Sequence, residues 1–320
     1  MKRGDTVNWL SRTKTQSLDT DGIDLDDASY LIPCFEDDEI LKFSIASIGM
    51  VNFPVVQARL KRKPIVVLGR RRLEAAREIG MEQVTVRIIP SEMPETDGFV
   101  LAFWDNLAHR GFDLPTKAMI VKRLLELFPK PIVAYEFLPL LGIPPRGPRL
   151  ERLRKLADLE HPAMQALADG RIQEKTAALL AEMDFRDRTV VLDVIERLGM
   201  NANKNAETVS HLFDLSVFQR RSVTELLAEE LAARVLNDDE LSKPEKAERF
   251  RDLVRSWKFP DLADREREFG QWRRDLALTA GINVQPAEGF EGDEYSVKIS
   301  CRSRDRVKKM IDLIREGLGD

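Results

Sequence analysis

The sequence is poor in cysteine, histidine and long apolar runs. Its two cysteines, Cys34 and Cys301, stand far apart and without metal-ligand spacing. That excludes a disulfide framework and a thiolate metal site, and fits buried free thiols in a reducing compartment. The three histidines, His109, His161 and His211, are scattered, and there is no His-rich or multi-carboxylate cluster of the kind a metal nuclease needs. No apolar stretch approaches membrane-span length, and the opening MKRGDTVNWLSRTKTQ has no apolar core for a signal peptide. A cytoplasmic protein is expected. Neither sign of charge dominates: 50 Lys and Arg against 54 Asp and Glu leave a formal net charge of -4. No global basic field therefore draws nucleic acid, and any such binding must come from local clusters. No internal repeat and no low-complexity segment is present.

What is there is a soluble, helix-rich composition, 43% hydrophobic and 32% charged over 320 residues, enough for two or three domains with a substantial core. The chain is organised around residues 64–89. Ile65 to Leu68 read as a buried strand, Gly69 turns the chain, and Leu73, Ala76 and Ile79 come next at helical spacing up to Gly80. Val84, Val86 and Ile88 then alternate as a second strand. Arg70, Arg71 and Arg72 crowd the start of the intervening helix, where the backbone dipole is already positive and each adverse charge costs roughly 0.3–1 kcal/mol. Glu74 offsets only part of that. An anion docked there, held by amides and guanidinium forks, would justify the arrangement; a solvated Arg-rich turn is the plain alternative.

Residues 1–20 are polar and aperiodic and read as a flexible arm. Residues 21–112 alternate apolar runs with short helices, as an α/β domain does: Ile40 to Ile48 fit a helix ended by Gly49, and Phe53 to Leu60 a strand with Lys61-Arg62-Lys63 at its tip. Residues 113–235 are helical in period, opening with Asp113-Leu-Pro-Thr as a cap and first turn. Within them, Ile132 to Leu159 form a helix-turn-helix candidate: Val133, Phe137, Leu138 and Leu141 on the first helix, Gly142 at the turn, and Leu150, Leu153 and Leu156 on the second. Arg146, Arg149, Arg152, Arg154 and Lys155 give that second helix a basic face suited to a major groove and its phosphates. A core helix with snorkelling Arg stems fits the same pattern. Pro139 interrupts the first helix, and Pro144, Pro145 and Pro148 stretch the turn. Residues 236–320 combine charged helices with two strands, Ile282 to Pro286 and Tyr295 to Cys301, and a final helix Arg304 to Gly317. Such a unit is marginal alone and suits an assembly role. Trp104 reads as core.

The segment Gly69-Arg70-Arg71-Arg72-Leu73-Glu74-Ala75-Ala76 resembles the arginine box of the N-terminal, sulfiredoxin-like domain of the ParB/RepB partition proteins. Phe35 to Glu39, Ile48-Gly49 and Phe53 to Val56 resemble that family's preceding stretches, and Asp105-Asn106-Leu107-Ala108-His109-Arg110 its second box. The segment from His161 to Ile172 is similar to the short helix, acid-Gly turn and next helix that come after the family's helix-turn-helix. The resemblance implies an α+β, mostly helical fold: a ParB/sulfiredoxin-like α/β domain, a central all-α helix-turn-helix bundle and a small C-terminal α/β unit. It implies a DNA-binding protein of plasmid or chromosome partition, nucleoid-associated, homodimeric, partnered by a ParA-type ATPase and without a membrane.

It also implies cytidine triphosphate and Mg²⁺ as ligands. Gly69, Arg70, Arg71, Arg72, Asn106, His109 and Arg110 would then surround the phosphates, and Asp105 and Asn106 would hold the metal. Arg70 and His109 depart from the family's usual residues, and its His-Gln-Pro-Arg-like segment has no counterpart before Phe35. Two competing readings are a nucleotide-using enzyme of the sulfiredoxin-like group, a CTPase-type switch among them, and a degenerate paralogue acting as transcriptional regulator or protein adaptor.

Overall fold

The computed structural model describes residues 8–145, 147–276, 281–290, 292, 294–300, 303, 307, 308 and 310–312. The chain divides into two compact units, 1–182 and 183–320, so the division falls inside the segment read from sequence as one helical domain.

The first unit opens on a mixed four-stranded sheet. Strand β1 (Lys14–Asp19) pairs antiparallel with β4 (Gln83–Ile89), β4 runs parallel to β2 (Val55–Arg59), and β2 forms a hairpin with β3 (Arg62–Leu68) through Lys61 at φ 56°. Helix α1 (Glu39–Ile48) precedes the hairpin, and α2 (Arg70–Glu78) joins β3 to β4. Leu73 and Ala76 of α2 pack on Val56, Val66, Val84 and Val86 of the sheet, with Ile23 and Leu25 closing the cluster. Leu73 is fully buried and contributes about 1.5–3 kcal/mol by leaving water.

Residues 14–19 correct the expectation of a loose arm. As an edge strand, β1 keeps nearly all its side chains exposed, so it needs the backbone ladder to β4 rather than apolar alternation. Arg87 ties the preceding turn down through Leu10 O (2.8 Å) and Thr13 Oγ1 (3.1 Å), and Trp9 Nε1 donates to Asp97 (2.8 Å).

Helices α3 (Glu95–His109) and α4 (Leu114–Leu127) lead into a bundle with α6 (Gly147–Leu156), α7 (His161–Ala168) and α8 (Glu174–Glu182), in which α4 packs on α6 and α7, and α6 on α8. Asp113 caps α4 by accepting from Thr116 N (2.7 Å). Between α4 and α6 lies one irregular helix: α5 (Lys130–Ile132), a π-turn (Val133–Phe137) and a 3₁₀ turn (Pro139–Leu141). Pro139 has no amide to donate to the preceding turn. The chain instead slips register, with Leu138 N on Val133 O (3.0 Å), and Gly142 ends it at φ 69°.

The second unit, taken by itself, contains α9 (Phe185–Leu198), α10 (Ala202–Gln219), α11 (Val223–Leu227), α12 (Glu230–Leu236), α13 (Lys243–Lys258), α14 (Pro260–Asp275) and a hairpin of β5 (Ile282–Pro286) and β6 (Tyr295–Ile299). Phe269 and Trp272 of α14 contact Tyr295, and Phe269 also contacts Phe290. Cys301 and most of the expected helix 304–317 lie outside the described residues. Among the described residues no helix is long and apolar enough to cross a membrane.

Candidate functional site

Gly69 caps α2 in the left-handed region (φ 84°, ψ 29°), with no side-chain cap and no acid in the first helical turn. A Cβ at this position would stand 3.0 to 3.2 Å from the guanidinium of Arg72, so glycine is needed both for the backbone and for the arginine folded over it. The three arginines do not splay into solvent. Arg70, 16% exposed, points inward and donates to the carbonyls of Leu25 and Asp27. Arg71 donates to Asp38 (2.6 Å) and faces Glu36 (3.4 Å) and Asp37 O (3.4 Å). Arg72 donates to Asn52 O and lies within electrostatic reach of Asp105. Burial pulls its pKa below the ordinary value, with Asp105 opposing. For Arg71 burial acts the same way, but the Asp38 hydrogen bond and the surrounding negative charges outweigh it and raise the pKa.

The second box lies on the last turn of α3. Arg110 donates to Asn106 Oδ1 (3.0 Å), Pro33 O (2.7 Å) and Ile32 O (3.3 Å), and covers the Phe112 ring. Asn106 Nδ2 donates to Ala102 O (2.9 Å). His109 is exposed, with Nδ1 2.6 Å from Asp105 O. Residues 25–38 thus form a strap bound by Arg70, Arg71 and Arg110, and also by Thr116 Oγ1 to Pro33 O (3.3 Å) and Gln165 Nε2 to Phe35 O (3.2 Å).

Gly69, Arg72 and Asp105 come together, whereas Arg70, Arg71 and Arg110 hold the strap and Asn106 orients Arg110. The Arg72 guanidinium itself lies over Gly69 and, among the described residues, has no carboxylate at ion-pair distance, whereas Arg71 is paired with Asp38 and Glu36. A shared Mg²⁺ seat on Asp105 and Asn106 does not fit: the Asn106 amide is engaged on both sides, and neighbouring helical positions diverge by about 100°. Among the described residues no group of three or more metal-ligating side chains assembles. The acidic partners Glu36 and Asp38 were missed by the sequence reading; the signal was the acid run 36–39 set against an arginine trio. Trp104 is a correction: it is 45% exposed, because its neighbour Phe103 takes the core position. Cys34 is half-buried, its Sγ 3.8 Å from Glu36.

In the bundle, Leu150, Leu153 and Leu156 of α6 are buried, which turns Arg149, Arg152, Arg154 and Lys155 outward. Arg149 makes a forked pair with Glu174 of α8 (2.7 and 3.1 Å), Arg152 lies 3.9 Å from the same carboxylate, and Lys155 pairs with Glu182 (2.6 Å). Arg154 pairs with Glu151 on its own helix (3.3 Å). Arg146 lies outside the described residues. A cleft of about 510 Å³ opens at the turn, lined by Leu114, Lys117, Gly142, Pro144, Arg149 and Arg152. Lys117, on the first turns of α4, is a cation the sequence reading did not single out.

A small mixed sheet followed by a helix-turn-helix bundle defines an α+β, mostly helical protein in which the cations of α2 and α6 are largely paired with acids. No family model matches the chain, and no curated protein does. Among solved structures it is similar to the C-terminally truncated chromosome-partitioning protein ParB from Caulobacter crescentus complexed to the centromeric parS site, at 16% identity over 60% of this chain and 96% of that one, with a TM-score of 0.31. The same protein complexed with CTP-gamma-S aligns at 17% identity over 57% and 98%, TM-score 0.25. A Pnob8-like ParB-N domain aligns at 14% identity over 77% and 97%, TM-score 0.36. Likenesses this low leave the functional reading to rest on the chain's own residues.

Proposed function

We propose that the chain is a ParB-like DNA-binding protein of the partition type, with a phosphate-binding switch site at the start of α2. The observation that supports it best is the α6 face: one leucine stripe is buried, and Arg149, Arg152 and Lys155 recur at positions i, i+3 and i+6 beside it, each about 100° round the helix from a leucine, after a glycine turn. That spacing puts three cations along one line of a helix, as phosphate contacts and groove entry require. In the same reading Arg71 and Arg72 receive the phosphates of a nucleotide over Gly69, and the resemblance of the boxes makes cytidine triphosphate the one to test first. Assembly as a homodimer through residues 236–320, with a ParA-type ATPase as partner, completes the proposal.

The test is duplex-DNA binding measured against salt. Affinity should fall steeply as salt rises, and R149A/R152A/K155A should weaken it at least about a hundredfold at low salt. Arg71→Ala should leave the protein's intrinsic DNA affinity and abolish any effect of the nucleotide on it. Turnover of a nucleoside triphosphate that survives the triple change and dies with Arg71→Ala, in a protein that never binds DNA, would establish the enzyme reading instead.

A further inference from the structure

The cations that the DNA reading assigns to the duplex are already occupied. Two carboxylates of α8 lie along the same line as the α6 cations: Glu174 holds Arg149 at 2.7 Å and approaches Arg152 at 3.9 Å, and Glu182 holds Lys155 at 2.6 Å. The acids are eight positions apart, about 12 Å of helix, and Arg149 and Lys155 six positions, about 9 Å, so the two rows are comparable in length. Lys117 differs. It lines the same cleft as Arg149 and Arg152, and among the described residues no carboxylate forms an ion pair with it.

We propose that Glu174 and Glu182 are intramolecular stand-ins for DNA phosphate: the α8 carboxylates compete with the duplex for the α6 cations and so set its affinity. The competition is soft. Arg152, Lys155 and Glu182 have side chains more than half exposed, where an ion pair gains little over its solvated parts. A row of phosphates can therefore displace the acids, but each contact yields less than an unpaired cation would give. Lys117, with no pair to break, is the contact that seats the first phosphate at the turn. The inference rests on the DNA reading, and the experiment separates their failures.

The probe is a fluorescent random-sequence duplex, titrated in low salt with the full chain. Glu174→Gln/Glu182→Gln should bind about tenfold tighter than the native protein, with each single change giving part of the gain. Glu182→Gln, at an exposed pair, guards against a folding defect at Glu174. Glu78→Gln, which removes the same charge from α2, should change affinity by less than about twofold. Lys117→Ala should weaken binding in both backgrounds. If the double variant matches the native protein while R149A/R152A/K155A still loses binding, the stand-in proposal falls and the DNA reading survives. If Glu78→Gln raises affinity as much as either single change at Glu174 or Glu182, net charge is the cause and the proposal falls. If no variant binds the duplex, both fall.

Discussion

At the scale of single residues, the first unit is fastened by side chains that reach backbone. Tyr30 illustrates it. Its hydroxyl donates to Gln57 Oε1 at 2.6 Å, and Gln57 Nε2 in turn donates to Met93 O at 2.8 Å. Burial pushes the phenol pKa up to about 12, with Glu95 adding to it. The ring lies directly on Gly98 of α3, where an added Cβ would sit 2.5 Å from Tyr30 and 2.9 Å from the Met93 methyl. Glycine inside a helix ordinarily costs about 1 kcal/mol relative to alanine. Here the contact reverses that preference: Gly98→Ala should destabilise the first unit by about 1–3 kcal/mol by overpacking, read as a lower urea midpoint with an unchanged slope. A stabilising alanine would show that Tyr30 moves aside freely. None of this was legible in the sequence, because Tyr30 lies far from Gly98 along the chain and no periodicity connects them. The same holds for Arg70, whose partners are the carbonyls of Leu25 and Asp27; carbonyls carry no residue identity for a sequence to display.

At the scale of elements, periodicity was legible wherever one face is buried. The strand, glycine turn, helix and strand of residues 64–89 and the leucine stripe of α6 stand where the pattern put them. Strand β1 was not legible, since an edge strand with exposed side chains writes no alternation. Helix α1 misled in the other direction: Ile45 is buried, but Ile40, Phe43 and Ile48 are 86%, 75% and 71% exposed. Apolar spacing alone does not say which side faces a core. Helix ends were partly readable, as at Asp113, yet one cap in the second unit comes from another helix. Asp187, near the start of α9, accepts from Val223 N (2.9 Å), Thr224 N (2.8 Å) and Thr224 Oγ1 (2.7 Å), adding to the Ser222–Glu225 capping box of α11. Its side chain is buried, so loss of the carboxylate strands amide donors away from water. Asp187→Ala should cost about 2–3 kcal/mol, and Asn should recover part of it. Thermal melts of the two variants decide this, and an alanine variant as stable as the native chain would mean water takes over the cap.

At the scale of the whole molecule, the chain divides at residue 182 into two compact units, each with buried apolar residues of its own. The histidine of α10 offers a handle on one of them. His211 packs edge-on against Phe259 at 5.5 Å and faces Glu207, Asp214, Lys258 and Arg255. Burial holds its pKa below the ordinary value; Glu207 and Asp214 oppose, and Lys258 and Arg255 reinforce. A lowered pKa in the fold means the unfolded chain takes up the proton first. His211 therefore contributes stability that is present above about pH 6.5, the ordinary histidine value, and is lost as pH falls through the lower value it has in the fold. Calorimetry should show two transitions, and lowering the pH from about 7 to about 5 should move the one belonging to residues 183–320 downward. In His211→Gln that shift should shrink while the other transition behaves as before. A single transition that moves as a whole would show that the two cores unfold together; an unchanged shift in His211→Gln would put the titrating group elsewhere.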